Sequence, residues 1–196
     1  MTVAQLQGWT VLAVLATWFL FAGIFFFRRR PPASTERTRD PMGVVGLVLQ
    51  GVGFAIVWTV RRTPGTPFAE APFSAQVFLS VLIVALAICS VSLTHWAVRT
   101  LGRQWSLDAR LVEGHELVTR GPYRYVRNPI YSGMLGMLIA TTLAVSRPIG
   151  AVAAVIVFCA GSVVRIRAEE RLLRTAFGET WETWARRTPA FVPGIW

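Results

Sequence analysis

The sequence predicts an all-α integral membrane protein with about five transmembrane helices, the last two forming a tight helical hairpin. Three observations carry this reading. Of the 196 residues, 54% are hydrophobic and only 15% are charged, against roughly 25% charged in ordinary soluble domains. The apolar residues gather into five long runs. The 20 Lys and Arg positions are all Arg, they collect at the edges of those runs, and they leave a formal charge of +10. Disorder is excluded by the apolar content. A disulfide-stapled secreted module is excluded too, because the two cysteines, Cys89 and Cys159, sit inside apolar runs.

The first run, residues 9–27, is 19 residues long without a charge and ends at Arg28-Arg29-Arg30. No basic stretch precedes it, and arginines stand where a small-residue cleavage site belongs, so it reads as a span rather than a signal peptide. The second, 43–60, has 18 residues and stops at Arg61-Arg62; the third, 75–98, has 24. A spanning helix needs roughly 17–25 apolar residues, so these three qualify by length alone. The runs 130–146 and 149–164 are shorter and only Arg147-Pro148 divides them. They read as a hairpin that crosses the bilayer as a pair.

Arginine placement sets the expected orientation. With the N-terminus outside, the inner segments 28–42, 99–129 and 165–196 hold 17 of the 20 arginines. The positive-inside rule then puts the C-terminus in the cytoplasm. The expected location is a prokaryotic inner (plasma) membrane. The arginines are scattered at membrane edges and form no nucleic-acid-binding motif, so no nucleic-acid partner is expected. Two stretches read as loops from their prolines: 31–41 on the inner side and 63–72 on the outer side. The chain divides into residues 1–98, three spans with their loops, and residues 99–196, which carry the polar chemistry.

That chemistry lies in two places. The inner stretch 99–129 is rich in turn formers, with Gly102, Gly114, Gly121-Pro122 and Asn128-Pro129, which predicts short pieces rather than one helix. A second cluster, Arg165, Arg167, Glu169 and Glu170, follows the last run. Tyr131 lies 16 residues before Arg147 and Arg165 lies 17 after Pro148. An antiparallel hairpin therefore brings Tyr131 and Arg165 to the same depth, with Glu169 on the same helical face as Arg165.

Taken singly these residues leave function open. Arginines at helix ends commonly mark topology or meet lipid headgroups. Tyr131 alone would be an interfacial anchor, and His95 a packing residue. No His/Cys/Asp/Glu group has metal-ligand spacing, so no metal is expected. No Ser/His/Asp set or phosphate-binding loop offers machinery for hydrolysis.

The order and spacing of the pieces go further. His115-Glu116-Leu117-Val118, Thr119-Arg120-Gly121-Pro122-Tyr123, Arg127-Asn128-Pro129-Ile130-Tyr131-Ser132-Gly133, Arg165, Glu169-Glu170 and Phe177-Gly178-Glu179-Thr180-Trp181 follow one another in turn. This series resembles the isoprenylcysteine carboxyl methyltransferase family. That family is part of a wider set of membrane methyltransferases that includes the phospholipid N-methyltransferases. The likeness covers about residues 101–193. It implies a cytoplasmic cofactor-binding region in 99–196 and an S-adenosyl-L-methionine pocket. The pocket residues would be His115, Glu116, Leu117, Val118, Tyr123, Asn128, Pro129, Ile130, Tyr131 and Glu169. Arg165 stands where the family has an arginine that contacts the methyl acceptor. Asn128 departs from the pattern, which has His there. An amide keeps a donor and an acceptor but cannot serve as acid, base or cation. Trp181 and Trp184 stand in place of tyrosines.

The residues also bear on the acceptor. A carboxylate is ionised at pH 7 and needs no base, whereas an ammonium or thiol must first lose a proton. Arginines exceed bases around the expected site, which favours an anionic, lipophilic small-molecule or lipidated acceptor held by Arg165 and Arg127. Phe177, Trp181 and Trp184 are spaced to give a tail helix one aromatic face, packed on the membrane interface or over the cofactor. Three alternatives stay open: a phospholipid N- or thiol S-methyltransferase, a steroid-reductase-like enzyme using NADPH, and a non-catalytic subunit that keeps the fold.

Overall fold

The computed structural model describes residues 1–26, 36–102, 110–112 and 116–192, and the side chains of 36–39 and 110–112 are left aside. It is a multi-pass membrane protein built of helices, with one short strand pair beside them. The described helices are α1 (Val3–Phe26), α2 (Met42–Thr59), α3 (Phe73–Leu101), α4 (Pro129–Val145), α5 (Pro148–Phe177) and α6 (Glu179–Ala185). α1, α2, α3 and α5 are each long and apolar enough to cross a membrane; α4, with 17 residues, is shorter.

The first three spans form where the apolar runs predict them. α1 begins on a reciprocal cap, in which Thr2 N–H donates to Gln5 Oε1 (2.9 Å) and Gln5 N–H to Thr2 Oγ1 (3.2 Å). Each partner satisfies a backbone donor that the first helical turn leaves open. α4 and α5 each start on a proline, Pro129 and Pro148, whose fixed φ and missing N–H suit the first helical position.

Which side chains face inward identifies the solvent. α2 buries Gly43, Gly46, Gln50, Gly53 and Val57, a stripe repeating every three or four residues. Val44, Val48, Phe78, Val81, Ile149, Val152 and Ile156 point outward. Small and polar residues inside with large apolar residues outside suit a lipid surround, where close backbone approach rather than apolar burial joins helices. α2 runs along α5, α3 runs along α4, and α1 packs against both α3 and α4. Glycines permit both crossings. A β-carbon on Gly136 would collide with Ser90 Oγ, and one on Gly53 would stand 3.0 Å from Phe158 Cβ. One buried cluster, around Val57, Leu138, Phe158 and Ile166, joins α2, α4 and α5; a second, around Val14, Ile83 and Met137, joins α1, α3 and α4.

The hairpin forms as expected, with only Ser146 and Arg147 between α4 and α5, and each arm also has a long neighbour outside it, α2 for α5 and α3 for α4. α5, however, is not a marginal span. Its 30 residues run unbroken past the apolar part through Arg165, Glu169 and Glu170. Charged residues have good helix propensity, so the helix continues where its hydropathy stops. The turn between α4 and α5 is clasped by the α2–α3 loop: Arg62 N–H donates to the Val145 carbonyl (2.9 Å) and Arg147 N–H to that of Val60 (3.0 Å).

Two further features depart from expectation. The segment read as a plain loop holds a strand, β1 (Glu36–Arg39), which pairs antiparallel with β2 (Arg110–Val112). Neither strand shows the apolar alternation that marks strands in a sequence. The expected aromatic tail helix is broken, because Gly178, with φ +50°, ends α5 and starts α6. Phe177 thus ends one helix while Trp181 and Trp184 sit on the next, and Trp181 is buried inside the protein.

Candidate functional site

α4 and α5 bring three of the expected residues together. Tyr131 is in the first turn of α4, and Arg165 and Glu169 are one turn apart on α5. The Tyr131 hydroxyl donates to Glu169 Oε1. Arg165 Nη2 reaches the same oxygen at 3.4 Å, and its guanidinium carbon stands 5.3 Å from the centre of the Tyr131 ring. Arg165 is nearly closed off, with 4% of its side chain exposed, while Glu169 keeps 27%. The cluster thus pairs a buried cation, stacked on an aromatic face, with a carboxylate open on one side.

α2 forms a wall of this cluster. A β-carbon on Gly46 would meet Arg165 Cγ at 2.5 Å. One turn along, Gln50 Nε2 donates to Ser162 Oγ at 2.9 Å, and both side chains are buried. The sequence reading found nothing specific in the first two spans. The signal present was the set of glycines Gly43, Gly46 and Gly53, whose meaning depends on the partner helix.

Arg127 and Asn128 face elsewhere. Arg127 Nε donates to Glu170 Oε1 at 2.8 Å, with the two side chains 11% and 14% exposed. Its Nη1 donates to the carbonyls of Ala185 (2.7 Å) and Thr188, and its backbone N–H to that of Pro189 (2.8 Å). Asn128 Nδ2 donates to the Ala190 carbonyl at 2.8 Å, and Ser132 Oγ to that of Phe191. The stretch 127–132 is therefore fastened to the tail segment 185–191. Glu169 and Glu170, adjacent on α5, divide the work: one meets Tyr131 and Arg165, the other meets Arg127. Trp181 lies under this clasp, with the guanidinium of Arg174 4.6 Å from its ring centre and that of Arg127 5.9 Å away. Ser132 and Glu170 stood in the motif series with no role assigned to them, and the tail carbonyls carried no sequence signal.

The remaining expected residues are placed as follows. Tyr123 is buried in a 3₁₀ turn, Gly121–Arg124, that packs on the end of α3. That turn needs Gly121: its φ is +62°, and a β-carbon would stand 2.8 Å from Thr100 Oγ1. Leu117 and Val118 are half-buried, Glu116 is exposed, Pro129 is buried and Ile130 is half-buried. His115 lies outside the described residues. Among the described residues no group of three or more His, Cys, Asp or Glu side chains could hold a metal ion.

Comparison with known proteins bears on the same stretch. A family model described as phospholipid methyltransferase matches residues 75–180, from the start of α3 into α6. The chain is 36% identical over 101 residues to protein-S-isoprenylcysteine O-methyltransferase B of Arabidopsis thaliana, covering 50% of this chain and 51% of that protein. It is 34% identical over 162 residues to the cobalt-zinc-cadmium resistance protein CzcN of Cupriavidus metallidurans, covering 81% of this chain and 66% of that protein. With a probable protein-S-isoprenylcysteine O-methyltransferase of Oryza sativa subsp. indica it shares 32% identity over 120 residues, covering 60% and 63%. The chain thus spans between half and two-thirds of the length of these curated relatives.

Proposed function

Since the chain belongs to the phospholipid methyltransferase family, we propose that it is an S-adenosyl-L-methionine-dependent membrane methyltransferase acting on a lipophilic acceptor. The observation that carries this reading is the convergence of Tyr131, Arg165 and Glu169 from two helices into one cluster. Two of the relatives are named as isoprenylcysteine O-methyltransferases. We extend from them the substrate class, an anionic amphiphile with a carboxyl group, and the reaction, its O-methylation.

The residues present suit such a cofactor. Glu169 offers a partly open carboxylate, the complement of a sulfonium and an ammonium. Tyr131, Pro129 and Ile130 would line the pocket beside it, with Glu116 to Val118 and Tyr123 contributed by the segment between α3 and α4. When bound, the cofactor supplies a methyl group already activated by its positive sulfur.

What falls to the chain is alignment and exclusion of water. Tyr131 holds the Glu169 carboxylate in place through its hydroxyl. Arg165, whose contact with Glu169 is long at 3.4 Å, can turn a donor toward an acceptor carboxylate and orient its oxygen for in-line attack. Held by Arg165, the acceptor oxygen would face the methyl group that the cofactor would supply. No proton need be removed, because the carboxylate is already ionised. Arg127 is here a positioning residue: its donors hold Glu170 and the tail. Asn128 takes the same structural duty. The arginine distribution supports an N-terminus outside and a cytoplasmic C-terminus, which puts the cluster where a water-soluble cofactor meets a membrane-borne acceptor.

The test is to incubate the purified chain with labelled S-adenosyl-L-methionine and a native lipid extract and to identify the product by mass spectrometry. A labelled methyl ester is expected. Binding of NADPH in place of S-adenosylhomocysteine would instead support a reductase, and binding of neither a non-catalytic subunit.

A further inference from the structure

The helix that packs hardest on Arg165 lies outside the matched stretch 75–180. At Gly46 the backbone of α2 touches α5. A β-carbon there would stand 2.5 Å from Arg165 Cγ, 2.6 Å from the Gly161 carbonyl oxygen and 2.9 Å from Arg165 N. The fit is mutual, since a β-carbon on Gly161 would stand 2.8 Å from Gln50 N and 2.8 Å from the Gly46 carbonyl oxygen. Real β-carbons do not approach heavy atoms this closely, so neither site admits a side chain while the helices keep this crossing.

The crossing is held in register. Gln50, one turn from Gly46, donates to Ser162, three residues before Arg165. Val57 and Phe158 close the same interface toward the far end, with neither measurably exposed. α2 therefore cannot slide along α5 to make room at Gly46 without breaking a buried hydrogen bond. The Arg165 side chain leaves α5 between the bare backbone of α2 on one side and the Tyr131 ring on the other. Its stem is confined by Gly46, and its guanidinium is left to meet Tyr131 and Glu169.

We infer that Gly46 is a positioning residue for Arg165: by leaving α2 without a side chain there, it sets where the guanidinium stands relative to Tyr131 and Glu169. This rests on the reading of Arg165 as the acceptor-binding cation. It extends the working site to a helix beyond the family-matched stretch. The glycines along α2 then have two different tasks. Gly53 meets Phe158 Cβ at 3.0 Å and the Ala154 carbonyl oxygen at 3.1 Å, which serves packing. Gly46 meets the arginine itself.

The experiment compares Gly46→Ala with Gly53→Ala and Gly150→Ala in the purified full chain. The second control crowds the same helix pair at Val60, with Cβ 2.7 Å away. Methyl transfer from labelled S-adenosyl-L-methionine into a native lipid extract, S-adenosylhomocysteine affinity and melting temperature are read for each. All three variants should melt lower than wild type. Gly46→Ala alone should lose about tenfold or more in transfer at unchanged affinity for S-adenosylhomocysteine, because a displacement of roughly 1 Å at a reacting group is enough for that. Equal losses of transfer across the three would overturn the assignment.

A second measurement needs no acceptor. Melting temperatures of Gly46→Ala, Arg165→Ala and the double variant should be non-additive, while Gly53→Ala and Arg165→Ala should add. Additivity at Gly46 would show that the glycine serves the backbone crossing alone, and would overturn the inference. Should Gly46→Ala fail to accumulate, its recovery when combined with Arg165→Ala supports the contact. Continued loss beside a folded Gly53→Ala overturns it. A wild type that neither binds S-adenosylhomocysteine nor transfers label would sink the proposed function, while the melting cycle still decides the contact.

Discussion

The hydroxyl of Tyr131, in the first turn of α4, donates its hydrogen to the carboxylate of Glu169, far along α5, and Arg165 spans the two by stacking on the ring and reaching the carboxylate. Each of the three makes a chemically different contact, and single substitutions remove one contact at a time.

Tyr131→Phe keeps the ring beneath Arg165 and removes only the hydroxyl. Glu169 then loses a charge-assisted bond, for a stability loss of about 2 kcal/mol. S-adenosylhomocysteine affinity should fall with it, since the carboxylate is no longer held in one orientation. Calorimetry showing wild-type affinity would remove the positioning role of the hydroxyl.

Glu169→Ala should abolish binding of S-adenosylhomocysteine while the protein stays folded, and Arg165→Ala should mainly raise the acceptor KM. The two variants form a pair: unaltered cofactor affinity in the first, or unaltered acceptor kinetics in the second, sinks that residue's assignment.

Arg127→Ala leaves Glu170 partly buried without its cation and frees the carbonyls of Ala185 and Thr188. Removing one partner of such a pair costs about 3 kcal/mol. Asn128→Ala removes one neutral hydrogen bond, to the Ala190 carbonyl, and should cost about 1 kcal/mol. Limited proteolysis should cut the tail 185–191 sooner in both variants, and more so in the first. Equal resistance in wild type and Arg127→Ala would show that the clasp does not hold the tail.

At the other end of the bundle, Arg62 caps α4 by donating to the carbonyls of Ser146 (3.0 Å), Leu143 (3.1 Å) and Ala144 (2.7 Å). A cation at a helix C-terminus meets both the open carbonyls and the negative end of the macrodipole. Arg62→Ala should lower stability by about 1–2 kcal/mol, with Arg62→Lys recovering part of it. An unchanged melting temperature in Arg62→Ala would exclude the cap as a stabilising element.

Asp40 gives a pH dependence with a defined sign. Burial pushes its carboxyl up, but hydrogen bonds from Arg171 and the Met42 N–H, with the Arg171 charge, outweigh that and hold it below its ordinary value. A carboxyl depressed in the folded state stabilises above its unfolded pKa, near 3.8, and the contribution is lost as pH falls through the folded value. The wild type should therefore lose stability relative to Asp40→Asn on acidification below about pH 4. Parallel melting curves for the two proteins over that range would show that the Asp40–Arg171 pair contributes nothing.

Much of the architecture was legible because hydropathy is a local property. The spans were bounded by runs without charge, and counting residues from the Arg147-Pro148 turn put Tyr131 level with Arg165. The strand pair Glu36–Arg39 with Arg110–Val112 was not legible, since neither segment alternates and each is defined only by the other. The break at Gly178 was hidden by a spacing that suited one continuous helix.

By itself, the sequence determined a membrane-spanning helical chain, the grouping of its arginines, and the residues that carry the family likeness. Only the tertiary structure decided what those residues do to one another. Arg127 and Arg165 look alike as arginines at the edges of apolar runs, but one is held by Glu170 and the tail carbonyls while the other lies against Gly46 and Tyr131. The physical reason is that a span is set by the free energy of its own side chains in lipid, residue by residue. A site is set by which helix surfaces meet, and in lipid that is decided by small residues and buried hydrogen bonds between segments distant in the chain.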